Sequence, residues 1–182
     1  MKDKTKREKI IIIDFGSQVT KLIARRVREF GVYSEVLTIN QLRLIKDFSS
    51  IKGIILSGGP ATVTKKSYPN IPLSLFSKNI PILGICYGLQ LISKNLGGSV
   101  KTGKKKREFG RAILKQNKTS DLTKNFYKKK EAVVWISHQD AVNKLPKKFS
   151  TIASKIYSPF TIKENKEKKI YGIQFHPEVT HT

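Results

Sequence analysis

The sequence predicts an α/β fold: an open, mostly parallel sheet with helices on both faces and an antiparallel extension at one edge. Three observations lead there. Short apolar runs alternate with stretches of helical spacing from residue 9 to residue 97. Turn signals (Gly31, Ser57-Gly58-Gly59-Pro60, Gly97-Gly98) separate them, and beyond residue 99 the pattern changes to short strands and loops. Strands that alternate with helices imply parallel βαβ units covered on both sides.

Residues 9–14, KIIIID, form a continuous apolar run, as expected of a strand buried on both faces. Ser17 is placed to cap a helix whose apolar residues Val19, Leu22, Ile23, Val27 and Phe30 recur at helical spacing, with Gly31 as its stop. Residues 34–38 read as a second strand, 40–47 as a short helix, and 51–56 as a third strand ending in Ser57-Gly58-Gly59-Pro60. Residues 73–78 read as helical and 80–85 as a fourth strand; a helix follows Cys86 and stops before Gly97-Gly98. The remaining strands are expected at 108–115, 132–136, 151–155, 159–162 and 170–175, as antiparallel additions at one edge.

The chain has 182 residues and 38% hydrophobic content, enough for one domain over 1–182, with residues 1–8 expected to be a basic, disordered tail. No apolar run approaches membrane-spanning length, and a single cysteine excludes an internal disulfide, so a cytoplasmic protein is expected. Lys and Arg number 36 against 13 acidic residues, a formal charge of +23. The basic runs at 104–107, 128–130, 147–148 and 163–169 are scattered and not interleaved with aromatics. They read as solvated loop charge rather than a nucleic-acid surface. The Arg25, Arg26, Arg28 set reads the same way, a partner contact being the alternative.

The lone thiol lies in Gly84-x-Cys86-x-Gly88, at an expected strand-to-helix turn. A nucleophile on so sharp a turn crowds its neighbours, and glycines two residues to either side relieve the clash. The helix N-terminus behind it favours thiolate. Of the three histidines, His138, His176 and His181, it is His176 that lies just past an apolar run, with Pro177 and Glu178 after it. A carboxylate on one ring nitrogen fixes the tautomer and leaves the other to face the thiol. Glycines after the third strand allow close backbone approach, so the N–H groups of Gly59 and Tyr87 are the candidate oxyanion donors. Neither a P-loop nor a G-x-G-x-x-G after the first strand is present.

LSGGP, GICYGLQ and FHPE, in that order, resemble the class I (triad) glutamine amidotransferases over nearly the whole chain. The resemblance implies a three-layer, flavodoxin-like sheet. It makes Cys86 the nucleophile, His176 the general base and acid, Glu178 its orienting carboxylate, and Gly58 and Gln90 part of the glutamine site. Within the class, IIDFGSQVTKLIARRVRE (12–29), GIILSGGPATVT (53–64), REFG (107–110), WISHQD (135–140) and FHPEVTHT (175–182) look like the amidotransferase part of GMP synthases. That assigns Ser137, His138 and Asp140 to the rim of the glutamine pocket. It implies no metal or cofactor on this domain, and an ATP-pyrophosphatase (synthetase) partner that uses ATP and Mg²⁺ to convert XMP to GMP, with dimerisation through that partner. Three positions depart from the pattern: Val19 for tyrosine, Lys21 for glutamine, and Gln139 for the glycine of SHGD, the last beside the expected pocket. The synthetase part expected to follow residue 182 is not in this sequence, which reads as truncated there. The alternatives are a catalytically silent basic binding module on the same fold, or another cysteine hydrolase such as a γ-glutamyl peptidase.

Overall fold

The computed structural model describes residues 7–103, 108–127, 130–155, 158–180 and 182. Most of the expected tail, the 104–107 run, Lys128, Lys129 and His181 lie outside them. Arg7 stacks over the Tyr33 ring, 4.3 Å from its centroid, and Glu8 pairs with Lys52 at 3.1 Å.

Among the described residues, eleven strands and three α-helices follow one another: β1 Lys9–Ile13, α1 Thr20–Glu29, β2 Ser34–Leu37, α2 Ile39–Leu44, β3 Ile51–Leu56, β4 Ile82–Ile85, α3 Tyr87–Asn95, β5 Ser99–Thr102, β6 Glu108–Gln116, β7 Glu131–His138, β8 Asp140–Lys144, β9 Ser150–Lys155, β10 Ser158–Asn165 and β11 Ile170–Ile173. Nine strands form one sheet in the order β2-β1-β3-β4-β11-β10-β9-β6-β7, and β5 pairs with β8 in a separate ribbon. β2, β1, β3, β4 and β11 are mutually parallel; β10, β9, β6 and β7 continue antiparallel from β11.

The isoleucine run of β1 is buried as its composition demands. Ile11 and Ile13 join the core under α2 and α3, and Ile12 points to the core under α1, all with no exposed surface. Each contributes about 1.5–3 kcal/mol by leaving water. Helices therefore cover both faces of the parallel half.

Four expectations are corrected. β11 is not an antiparallel edge addition. It forms a hairpin with β10 but also pairs in parallel with β4, placing it at the middle of the sheet. Its apolar residues read the same in either setting; the signal was Gly172, where an added Cβ would lie 2.1 Å from Leu89 Cδ1 of α3. The β5–β8 ribbon was not expected, because both strands are short and carry exposed lysines. Ser17 does not cap α1, which begins at Thr20; its hydroxyl accepts from Val19 N–H in a local turn before the helix. Finally, Lys163 is not solvated loop charge. It lies on β10 with no exposed surface, and its ammonium nitrogen donates to Ser93 Oγ at 2.6 Å. Burial pushes this lysine well below its ordinary pKa.

Candidate active site

β4 ends at Ile85, and α3 starts at Tyr87, so Cys86 is the whole of the connection. It holds φ 50°, ψ −101°, a left-handed conformation that strains any residue with a side chain. The flanking glycines are required by contact. A Cβ on Gly84 would lie 2.6 Å from Gly88 C and Leu89 N, and one on Gly88 would lie 2.3 Å from the Leu56 carbonyl oxygen. Close approach lets Gly88 N–H donate to Ser57 O at 3.1 Å, fastening the start of α3 to the end of β3. The sulfur is thus held at the carboxyl end of the sheet, at a helix N-terminus that favours negative charge.

His176 arrives two residues beyond Gln174, on the segment leaving β11. Its Nδ1 is 2.8 Å from Glu178 Oε1, and the ring lies beside the Cys86 side chain, both within 4 Å of where a Cβ on Gly58 would stand. Burial opposes the charged ring, but the hydrogen bonds and negative charge of Cys86 and Glu178 outweigh it and push the imidazole up to about 10. Glu178 is 2% exposed. Its second oxygen has no partner among the described residues, so the carboxylate is committed to the ring. The backbone is clamped as well: His176 N donates to Trp135 O, Thr182 Oγ1 donates to His176 O at 2.7 Å, and Arg26 Nε donates to Glu178 O at 3.3 Å. Arg26, expected to be solvated, is half-buried and holds this segment, while Arg28 is exposed as expected and also donates to Ser34 O at 2.8 Å.

Cys86 opens onto a cavity of about 870 Å³. Of the residues expected from sequence, Gly59, Tyr87, Gln90, Ser137, His138 and Asp140 line it. Gly58 serves differently: a Cβ there would meet His176 Cε1 at 3.0 Å, so its lack of a side chain gives the imidazole room. Gly59 is held within contact of Phe15, where an added Cβ would lie 2.6 Å from the Phe15 carbonyl oxygen. Tyr87 N–H opens α3 and has no acceptor within its own helix. Gln90 reaches across, Nε2 donating to Asp140 O at 2.9 Å. Asp140 is 7% exposed, and its Oδ2 accepts from Thr62 Oγ1. Gln139 lines the cavity with its side chain exposed, while its carbonyl accepts from Gly103 N at 3.0 Å and the chain continues directly into β8.

Sequence reasoning missed four contributors. Thr62 and Thr64 share a hydroxyl hydrogen bond at 2.7 Å, and Thr102 of the unexpected β5 joins them at 3.3 Å. Phe109 lines the cavity, packed edge-on against Trp135 with ring centroids 5.4 Å apart. Thr62 and Thr64 directly follow the glycine turn, and that position was the available signal.

A strained single-residue elbow bearing a thiol, backed by an imidazole and a carboxylate beside a cavity of mixed polar and apolar lining, is an arrangement for acyl transfer through sulfur. Comparison with known proteins agrees. The class-I glutamine amidotransferase family profile matches residues 11–182. A GMP synthase (glutamine-hydrolyzing) of Zymomonas mobilis is 48% identical over 99% of this chain, and one of Shewanella woodyi 46% over 96%. The chain spans 34% of the length of each of these curated relatives. Among solved structures, a Thermoplasma acidophilum protein assigned as one component of a GMP synthase superposes with TM-score 0.80 at 28% identity, covering 97% of this chain and 87% of that one. A Thermotoga maritima glutamine amidotransferase shares the fold at TM-score 0.80 and 23% identity, covering 96% of this chain and 77% of its own. With a match over nearly its full length and the thiol turn in place, this chain belongs to the class-I glutamine amidotransferase family.

Proposed function

We propose that this chain hydrolyses the side-chain amide of L-glutamine through Cys86, His176 and Glu178, and hands the ammonia to a synthetase part that makes GMP from XMP with ATP and Mg²⁺. The observation that carries the reading is the imidazole of His176 between the Cys86 sulfur and the Glu178 carboxylate, 2.8 Å from the latter. The Cys86 thiolate attacks the amide carbon and forms a C–S bond; the oxyanion accepts from the N–H groups of Gly59 and Tyr87. Imidazolium His176 protonates the departing nitrogen, the C–N bond breaks and ammonia leaves. Neutral His176 then takes a proton from water as its oxygen attacks the thioester, and the C–S bond breaks to give glutamate and thiolate. Glu178 keeps the proton of His176 on Nδ1 and stabilises the charged ring. Ser137, His138, Gln90 and Asp140 supply the polar wall against which glutamine lies, and a cavity of about 870 Å³ is ample for it.

The synthetase assignment rests on likeness to relatives named GMP synthase (glutamine-hydrolyzing), which are about three times as long as this chain. A cytoplasmic setting fits a lone free thiol that must stay reduced. The test is glutamate release by wild type and Cys86→Ala, with and without a synthetase partner. A loss on the order of thousands-fold is expected if the nucleophile works with its base as a unit; equal rates in the two proteins end the proposal.

A further inference from the structure

Apart from the imidazole beside it, the Cys86 sulfur has a hydrogen-bond donor of its own, the side-chain amide of Gln174. Its Nε2 lies 3.7 Å from Sγ, within the range for N–H donors to sulfur. The contact is built by the sheet. β11 pairs with β4 in parallel, Gly172 opposite Gly84 and Ile173 opposite Ile85, so the next residue of one strand falls beside the next residue of the other. Cys86 N–H donates to Ile173 O at 2.8 Å, and Gln174 N–H donates to Thr161 O at 2.9 Å, which clamps Gln174 from both neighbouring strands. Gln174 is 1% exposed and Cys86 7%, so water cannot easily take over the role of either group.

We propose that Gln174 is a catalytic residue: its carboxamide N–H donates to the Cys86 sulfur and carries part of the thiolate charge before and after acylation. The inference deepens the reading of Cys86 as nucleophile and rests on it. The proton shared by Cys86 and His176 has two resting places, thiol with neutral imidazole or thiolate with imidazolium. A neutral donor aimed at sulfur favours the second, since hydrogen bonds to a charged form stabilise that form. When the protonated thiol points instead to the Ser137 carbonyl, 3.7 Å away, the amide loses its anion. Unlike the imidazole, the amide does not titrate. It holds the sulfur in the same way at every pH, including the moment at which the thioester breaks and thiolate is expelled. No bond forms or breaks at Gln174 itself.

Because Cys86 is the single cysteine, alkylation by iodoacetamide reports on this sulfur alone. The experiment measures alkylation rate against pH for wild type, Gln174→Glu and Gln174→Met, each first compared by thermal melting, with Cys86→Ala as the blank. Gln174→Glu keeps the shape but turns an oxygen anion toward sulfur, and is expected to cut the neutral-pH alkylation rate about tenfold, recovering toward high pH. Gln174→Met removes the donor without adding charge and is expected to cut it several-fold, deciding the matter if the glutamate variant does not fold. Glutamate release falls in parallel in both. Folded variants that alkylate at the wild-type rate across the pH range overturn the inference. If instead Cys86→Ala still releases glutamate, the functional reading falls, while the alkylation series continues to read the contact between amide and sulfur.

Discussion

Replacing Gly88 by alanine tests the elbow with a perturbation whose size follows from the coordinates. The new Cβ would stand 2.3 Å from the Leu56 carbonyl oxygen and 2.7 Å from Leu56 Cβ, both in the middle of the molecule and neither at the end of a flexible chain. Ordinary contact begins near 3.4 Å, so α3 must withdraw from β3 by about 1 Å, the kind of overpacking that costs about 1–3 kcal/mol. For a domain of this size each kcal/mol lowers Tm by about 2–4 °C, which gives a drop of about 2–12 °C. The same withdrawal stretches the Gly88 N–H to Ser57 O bond and carries Cys86 away from His176. A misplacement of that order costs about a hundredfold in rate. The assay pairs thermal melting with glutamate release in the presence of a synthetase partner. Gly97→Ala is the control: it sits at φ +88° with nothing within 4 Å of the added methyl. It should lose about 1 kcal/mol of stability to backbone strain and keep its activity. A Gly88→Ala protein that melts with wild type and releases glutamate at the wild-type rate refutes the close-packed elbow.

Two further predictions follow from buried charge. The His176 imidazole is raised from 6.5 to about 10, so the stability it contributes is fully present below pH 6.5 and is lost as pH rises through about 10. The stability difference between wild type and His176→Gln, read by denaturant melts, should therefore shrink over that window; a difference that grows with pH contradicts the assignment. Lys163 has the opposite sign. Its depressed value makes the folded state more stable as pH rises and less so as pH falls. Lys163→Met should raise Tm by several degrees at neutral pH, with the gain fading toward pH 10.5; a fall in Tm at pH 7 would mean that the contact to Ser93 Oγ outweighs the cost of burial.

Much of this was legible in the sequence because it depends on local chemistry. Gly84 and Gly88 announce a turn that only glycines permit, and Glu178 two residues after His176 announces a held imidazole. What escaped depends on partners distant in the chain. Gln174 looks like any polar strand residue until the β4–β11 register sets it beside Cys86, 88 positions away. Lys163 looks like its solvated neighbours Lys166, Lys168 and Lys169 until β10 turns it toward α3. Thr102 acquires a site only because β5 pairs with β8, which puts it opposite Asp140. Strand pairing is the information that a local pattern does not carry.

The proposed chemistry depends on one sulfur made nucleophilic and aimed by the imidazole packed beside it. A chloroketone analogue of glutamine, followed by mass spectrometry of the intact and digested chain, addresses it directly. A single adduct on Cys86 is expected, prevented by free glutamine and formed at least about a hundredfold more slowly in His176→Ala. Labelling of Cys86 at the same rate in both proteins, indifferent to free glutamine, would contradict it.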